Sequence, residues 1–242
     1  KYEPENLSIH FSLSSLKKEI MDTNLKNKVE NIIKSDNTTK KNIAYGNYLL
    51  SKYELKEKNY EKEFKHLLDG HHNYFESVSE RYKKGTDLWL NKLSKVNKLF
   101  NFEKIENKKN IKIGLRPIFI VGVPRCGSTL IEKIIASGLK KIPTGEETGV
   151  LTFFFEKEKL FKKKLLNNND IKNFEKKLLK IYMEKNLVEE KSNYIFTDKS
   201  LENFFYIDLI IKIFPQAKII DCRRNVLSSI MSIFQNNLTG LP

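Results

Sequence analysis

The chain has 242 residues, 40% of them hydrophobic and 11% aromatic, which is enough to bury a real core in one or two domains. No run approaches the roughly 18 apolar residues that span a bilayer, and two cysteines make no disulfide framework, so a reducing, cytoplasmic setting without a membrane span is expected. The net charge of +14 does not indicate a nucleic-acid partner, because the cations are nearly all Lys and Arg stands only at 81, 116, 125, 223 and 224.

Residues 1–105 carry helical periodicity and no convincing strand. Leu13, Leu16 and Ile20, then Leu25, Val29, Ile32 and Ile33, recur at helical spacing. Ile43 to Tyr82 reads as a helix pair. Leu49, Leu50 and Tyr53 form one apolar face, Lys58-Asn59 is a break, and Tyr60, Phe64, Leu67 and Leu68 form the next face, ending around Tyr74-Phe75-Val78. His66, His71 and His72 have no metal-binding spacing and read as a helix surface. The polar, Lys/Asn-rich stretch from Asn101 to Lys112 is the natural linker.

From Arg116 the pattern alternates. Strands are predicted at Ile118–Val121, Tyr194–Thr197 and Lys218–Cys222. Helices are predicted at Ser128–Ser137, Thr148–Phe161, Asp170–Asn186 (with Asp170 as N-cap), Leu201–Phe214 and Val226–Asn237. Apolar strands joined by helical crossovers predict an α/β domain over 111–242. It would be a parallel sheet with helices on both faces, preceded by an all-α region over 1–110. Ligands of such sheets lie beyond the carboxyl ends of the strands.

The stretch from Ile118 to Leu130 carries the most chemistry. An apolar strand breaks into Gly122-Val-Pro-Arg-Cys-Gly127-Ser-Thr129 and then a helix start. Such a turn cradles phosphate, because glycine lets the backbone approach an anion and the free N–H groups of the first helical turn point at it. The spacing is that of a nucleotide-binding P-loop with one change. Ser128 stands where the lysine would follow the second glycine, and Arg125 inside the loop is the cation instead. The bland readings are an exposed loop cation for Arg125 and a simple N-cap for Ser128, which lacks the Glu of a capping box. Cys126 and Cys222 fall at carboxyl ends of predicted strands and read as two unpaired thiols.

Pro124-Arg-Cys-Gly-Ser-Thr129 resembles the 5′-phosphosulfate loop of sulfotransferases, usually Pro-Arg-Ser-Gly-Thr-Thr, with Cys126 in place of a serine. Gly145-Glu-Glu-Thr148, sixteen residues beyond Thr129, is similar to a segment of the protein-tyrosine sulfotransferases. The segment from Phe214 to Ser232, a strand ending in Arg with Ser eight residues later, is similar to the family's 3′-phosphate site. Thr197-Asp-Lys199 occupies the place of a family lysine. The resemblance covers residues 115 to 242 and implies a P-loop-like fold. It also implies 3′-phosphoadenosine 5′-phosphosulfate (PAPS) as sulfuryl donor, adenosine 3′,5′-bisphosphate (3′,5′-ADP) as product, and no metal.

The same resemblance implies the roles. Glu147 is the catalytic base, with Glu146 as the alternative, and Lys199 contacts the donor's bridging oxygen. Arg125, Cys126, Gly127, Ser128 and Thr129 surround the 5′-phosphosulfate, while Arg224, rather than Arg223, and Ser232 hold the 3′-phosphate. Gly149 stands where the tyrosine sulfotransferases carry an Arg, which argues against a peptidyl-tyrosine acceptor. Protein and carbohydrate hydroxyls both stay open. The sequence reaches Pro242 before the family's later glycine-rich adenine-binding segment, so the resemblance implies an α/β domain that is C-terminally incomplete here.

Residues 43–82 resemble one tetratricopeptide repeat (TPR), with Leu50-Ser51 as the close-packing pair, Tyr60 opening the second helix, and Glu63 where that repeat carries Ala. A TPR-like region in front of a sulfotransferase domain would bind a protein partner or the acceptor. Two alternatives come from other classes: a nucleotide or small-molecule kinase with a displaced P-loop lysine, for which Asp221 is the candidate Mg²⁺ ligand, and a helical-repeat adaptor whose α/β half is inactive.

Overall fold

The computed structural model describes residues 3–92, 101–102, 115–138, 141–158, 165–166, 168–188 and 195–236. It divides into two compact units, Lys1–Asp87 with Ile233–Pro242, and Leu88–Ser232. No helix among the described residues is long and apolar enough to cross a membrane.

The first unit is helical: α1 (Leu7–Leu16), α2 (Thr23–Lys34), α3 (Lys40–Lys56), α4 (Tyr60–Ser77) and α5 (Ser79–Asp87). Short polar side chains start the first four. Asn6, Asp22, Thr39 and Asn59 each accept a backbone N–H of the first turn, which satisfies a donor the helix itself cannot. Leu7, Leu25, Val29, Leu49, Leu50 and Tyr53 make one core cluster, and Ala44, Tyr48, Leu67 and Tyr74 another. Two predicted faces are turned. On α1 the chain buries Leu7 and Ser14, while Leu13 and Leu16 are exposed. On α4 the buried stripe is Glu63, Leu67, Gly70 and Tyr74, and Phe64 and Leu68 lie half out. Gly70 explains the second rotation, since a side chain there would strike the Tyr48 ring, within 2.7 Å. The helix settles with its gap against that ring. His66 and His71 bond Asn47 and Tyr48 across the α3–α4 pair, so both join packing rather than open surface.

The second unit holds β1 (Asn101–Phe102), β2 (Ile118–Gly122), α6 (Ser128–Ala136), α7 (Val150–Lys157), β3 (Leu165–Leu166), α8 (Asn168–Glu184), β4 (Thr197–Asp198), α9 (Ile207–Ile213) and β5 (Lys218–Cys222). A helix α10 follows at Val226–Phe234. The main sheet is parallel, in order β4-β2-β5, with Ile118 opposite both Thr197 and Lys218 and Gly122 opposite Cys222. Successive side chains of β2 face opposite ways. Phe119 enters a large core with Phe154 and Phe155 of α7, Phe174 and Tyr182 of α8, and Ile210 and Ile213 of α9. Ile120 enters a second cluster with Ile131 and Ile135 of α6, Cys126 and Cys222. Helices therefore cover both faces of a small open parallel sheet.

Several boundaries differ from expectation. The region before residue 105 does contain a strand, since Asn101–Phe102 pairs in parallel with Leu165–Leu166. The rest of the expected linker, 103–112, lies outside the described residues, as do the expected termini at 161, 194 and 237. The third main strand is Thr197–Asp198, although Phe196 already accepts the N–H of Ile118. Asp170 sits in the first turn of α8, which begins at Asn168, and is not its cap. Leu201–Phe214 is not one helix: Leu201–Tyr206 is a 3₁₀ turn, and α9 follows it. Asn203, buried inside that turn, bonds the Asp198 side chain instead of facing solvent.

Candidate active site

β2 is the central strand, with its sequence-distant neighbours on either side, so the crevice beyond the strand carboxyl ends is where a parallel sheet takes ligands. Three loops meet that edge: Gly122–Gly127 after β2, Lys199 after β4, and Arg223–Arg224 after β5. Parallel pairing brings together residues that are far apart in the chain.

The loop after β2 is held by unusual backbone. Gly122 has φ 150°, and a Cβ there would lie 2.6 Å from the Cys222 carbonyl oxygen and 3.0 Å from Cys126 Sγ. Gly122→Ala is therefore expected to cost about 2 kcal/mol or more, read as a lower unfolding midpoint. An unchanged midpoint would mean that the loop does not close down on β5. Arg125 takes a left-handed φ of 67°, which sends its side chain outward. Its Nε donates to Ser232 Oγ at 3.0 Å, and Arg224 Nη1 donates to the Arg125 carbonyl at 3.4 Å. Arg223 turns away and donates to Asp221 at 2.6 Å. The Arg224 guanidinium and the Ser232 hydroxyl, 99 and 107 positions from Arg125 in the chain, thus gather with its guanidinium over one loop.

Behind them, Gly127 is the N-cap of α6 with no side-chain cap bond, so Ser128 and Thr129 lie in the first turn, where backbone N–H groups lack helical partners. Ser128 is buried, and so is Cys126. Cys126 and Cys222 are free thiols in one cluster beneath the loop, and burial, with the neighbouring Cys126 next, pushes the Cys222 thiol up.

The second half of the site is the Gly145–Thr148 turn against β4. Thr197 N donates to Pro143 O and Lys199 N to Glu146 O, so this segment runs alongside the end of the strand. The approach is close enough that a side chain at position 145 would collide with the Thr197 carbonyl. Glu146 has a left-handed φ of 52°, and this bend points the two adjacent carboxylates in different directions. Glu147 goes to Lys199: Nζ donates to Glu147 Oε1 at 2.8 Å, with the lysine side chain 6% exposed and the glutamate 69%. Both border a cleft of about 530 Å³, with Glu146, Thr144 and Lys185 on its rim. A buried cation beside an open carboxylate sets a group that stabilises anionic charge next to one that can accept a proton.

Sequence reasoning missed the groups that hold this pair. Asp198 is fully buried and accepts four bonds: Thr148 Oγ1 at 2.7 Å, Tyr182 OH at 2.9 Å, Ser200 N at 3.0 Å and Asn203 Nδ2 at 3.1 Å. Ser200 Oγ in turn accepts the N–H of Gly149, the left-handed N-cap of α7. This explains why the helix expected from Thr148 starts at Val150, for Thr148 spends its hydroxyl on Asp198 and caps Val150 N. Glu132 is a second buried carboxylate on the network. Glu202, just beyond, is held above the usual carboxylate range by burial first, with Asp198 and Glu147 adding to it and Lys199 opposing. The Thr-Asp-Lys order was visible in the sequence, but nothing in it marked Asp198 as a four-way acceptor.

A family model described as the sulfotransferase family matches residues 117–241. An uncharacterized protein of Aquifex aeolicus (strain VF5) is similar, 28% identical over 227 residues, which is 88% of this chain and 28% of that protein. The chain thus spans well under two thirds of its relative's length. No solved structure matches it.

Proposed function

The chain belongs to the sulfotransferase family, and from that premise we propose that it moves a sulfuryl group from PAPS to a hydroxyl acceptor by in-line displacement. One arrangement supports the reading above all: the Lys199–Glu147 pair stands at the same sheet edge as the Arg125 loop, on the strand next to it. The donor supplies an activated sulfuryl group, and what the protein adds is position and charge. Glu147 takes the proton of the acceptor hydroxyl. Lys199, Arg125 and the first-turn N–H groups of Gly127, Ser128 and Thr129 face the charge that grows on the departing 5′-phosphate. Arg224 and Ser232 are assigned to the 3′-phosphate, with Arg125 bridging the two anion positions.

The α/β domain is taken as 111–242, and the helical region over 1–110 as TPR-like, binding the acceptor or a protein partner in a cytoplasmic setting. The kinase alternative gains nothing from the end of β5, because Asp221 there is held by Arg223.

Thermal unfolding with adenosine 3′,5′-bisphosphate, ATP and AMP tests the donor assignment. A ligand at a hundred times its dissociation constant adds about 2.7 kcal/mol, and the bisphosphate alone is expected to do so. Stabilisation by ATP instead would favour the kinase reading, and no response to any of the three would favour the inactive adaptor.

A further inference from the structure

α6 breaks the rule of its own amphipathic pattern. Its apolar Leu130 and Ile134 are 64% and 58% exposed, yet Glu132 between them is 3% exposed. A carboxylate loses hydration when buried, so it stays only where donors replace the water. Here they do. Glu132 Oε1 accepts the Thr197 hydroxyl at 2.6 Å and the Glu146 N–H at 3.0 Å. The first donor is two residues before Lys199, the second one residue before Glu147, and the acceptor rides on the helix that begins at the phosphate loop. Thr197 Oγ1 also receives the N–H of Gly145, so the turn is pinned from both sides. Local rules broken inside an otherwise consistent fold mark functional positions.

We propose that Glu132 is a positioning residue: a buried strut that ties the base-bearing turn and the lysine-bearing strand to the phosphate-loop helix, fixing Glu147 and Lys199 relative to the bound donor. It touches neither substrate and acts through Glu146 and Thr197. A displacement of about 1 Å in a reacting group costs on the order of 10²-fold in rate. The loss from removing the strut should therefore fall on kcat and spare donor binding.

The proposal rests on the sulfotransfer reading, and the experiment separates the two. In the full chain, Glu132→Ala, Glu132→Gln and Thr197→Val are compared in three measurements. PAPS turnover is followed as bisphosphate release with a mixed panel of sugar and tyrosyl-peptide hydroxyls. Bisphosphate affinity is measured by titration, and exchange of the Glu146 amide by NMR. Glu132→Ala is expected to lower kcat by roughly 10²-fold, to leave bisphosphate affinity within about threefold, and to speed Glu146 exchange at least tenfold. Glu132→Gln keeps an acceptor oxygen for both donors and should restore most of the rate and the protection. Thr197→Val removes one of the two donors to Glu132 and the acceptor of the Gly145 N–H, while the Glu146 N–H keeps its bond, and should lower kcat by a smaller factor. Equal loss of donor affinity and kcat in Glu132→Ala would overturn the proposal, and so would unchanged Glu146 exchange or a Gln variant as slow as Ala. A wild-type chain that ignores the bisphosphate would sink the donor reading, while the exchange measurement would still decide whether the strut exists.

Discussion

Glu147→Gln is expected to lower PAPS turnover by about 10² to 10⁴-fold, the usual contribution of a positioned base, with bisphosphate affinity nearly unchanged. The amide keeps the shape of the side chain and an oxygen for Lys199 Nζ, which now stands 2.8 Å from Glu147 Oε1. It cannot take a proton. Because Glu147 is 69% exposed and Lys199 is 6% exposed, removing the negative charge disturbs a solvated group and leaves the buried ammonium its nearby acceptor. The fold should therefore survive, and any loss should appear in kcat. Glu146→Gln provides the contrast: its N–H is bound to Glu132 and its carbonyl accepts from Lys199, so its role runs through the backbone. Rates retained in Glu147→Gln and lost in Glu146→Gln would transfer the assignment to the neighbour. Rates retained in both would remove the base from this turn.

The largest effect on stability is expected at Asp198. Asp198→Ala strands four donors at a fully buried position: the Tyr182 and Thr148 hydroxyls, the Asn203 amide and the Ser200 N–H. Each bond to a charged group is worth roughly 1.5–3 kcal/mol. The bonds share one acceptor and do not add, so a total of about 3–5 kcal/mol is expected. A urea midpoint that falls with unchanged slope would report it, and a loss below about 1 kcal/mol would mean that water replaces the carboxylate without difficulty. The same contact sets an alkaline limit. Burial, then Asp198, holds the Tyr182 phenol well above its ordinary value of 10.0. The folded chain keeps that proton where the unfolded chain gives it up. The contribution is thus complete below about pH 10 and drains away as the pH rises beyond it. Tyr182→Phe should flatten that decline.

Much of the architecture could be read in the linear order of residues, and the reasons are local. Ile118–Val121 is an apolar run closed by Gly-Val-Pro, Lys218–Cys222 sets Ile-Ile between charged residues before Arg-Arg-Asn, and both formed strands within a residue of expectation. The positions of Arg125, Lys199 and Arg224 at one sheet edge follow from parallel pairing, which puts every β-to-α loop on the same side, whereas Glu147 is brought there by its turn against β4 and Ser232 by α10. What stayed hidden was set by partners remote in sequence. The buried face of α4 depends on the fit of Gly70 against Tyr48, and a periodicity count ranks Phe64 and Leu68 above a glycine. Glu132 looks like any solvated residue of a helix until Thr197 and Glu146 arrive from 65 and 14 positions away. The 3₁₀ turn after Ser200 is bent by Asn203 reaching back to Asp198, a pull that apolar spacing does not register.

The pairing of β2 with β5 also sets a timetable. Ile118 waits for Lys218, one hundred positions later, whereas α3 and α4 are neighbours that close on each other across three residues. Local helix pairs assemble in microseconds to milliseconds, and distant strand pairings lag behind them. At about 5–20 residues added per second, a ribosome would leave the Ile-Phe-Ile-Val strand without β5 for roughly 5–20 s, and without β4 for only a little less. The segment that becomes the centre of the sheet is thus, during synthesis, an apolar strand with both edges unpaired, the kind of surface chaperones cover.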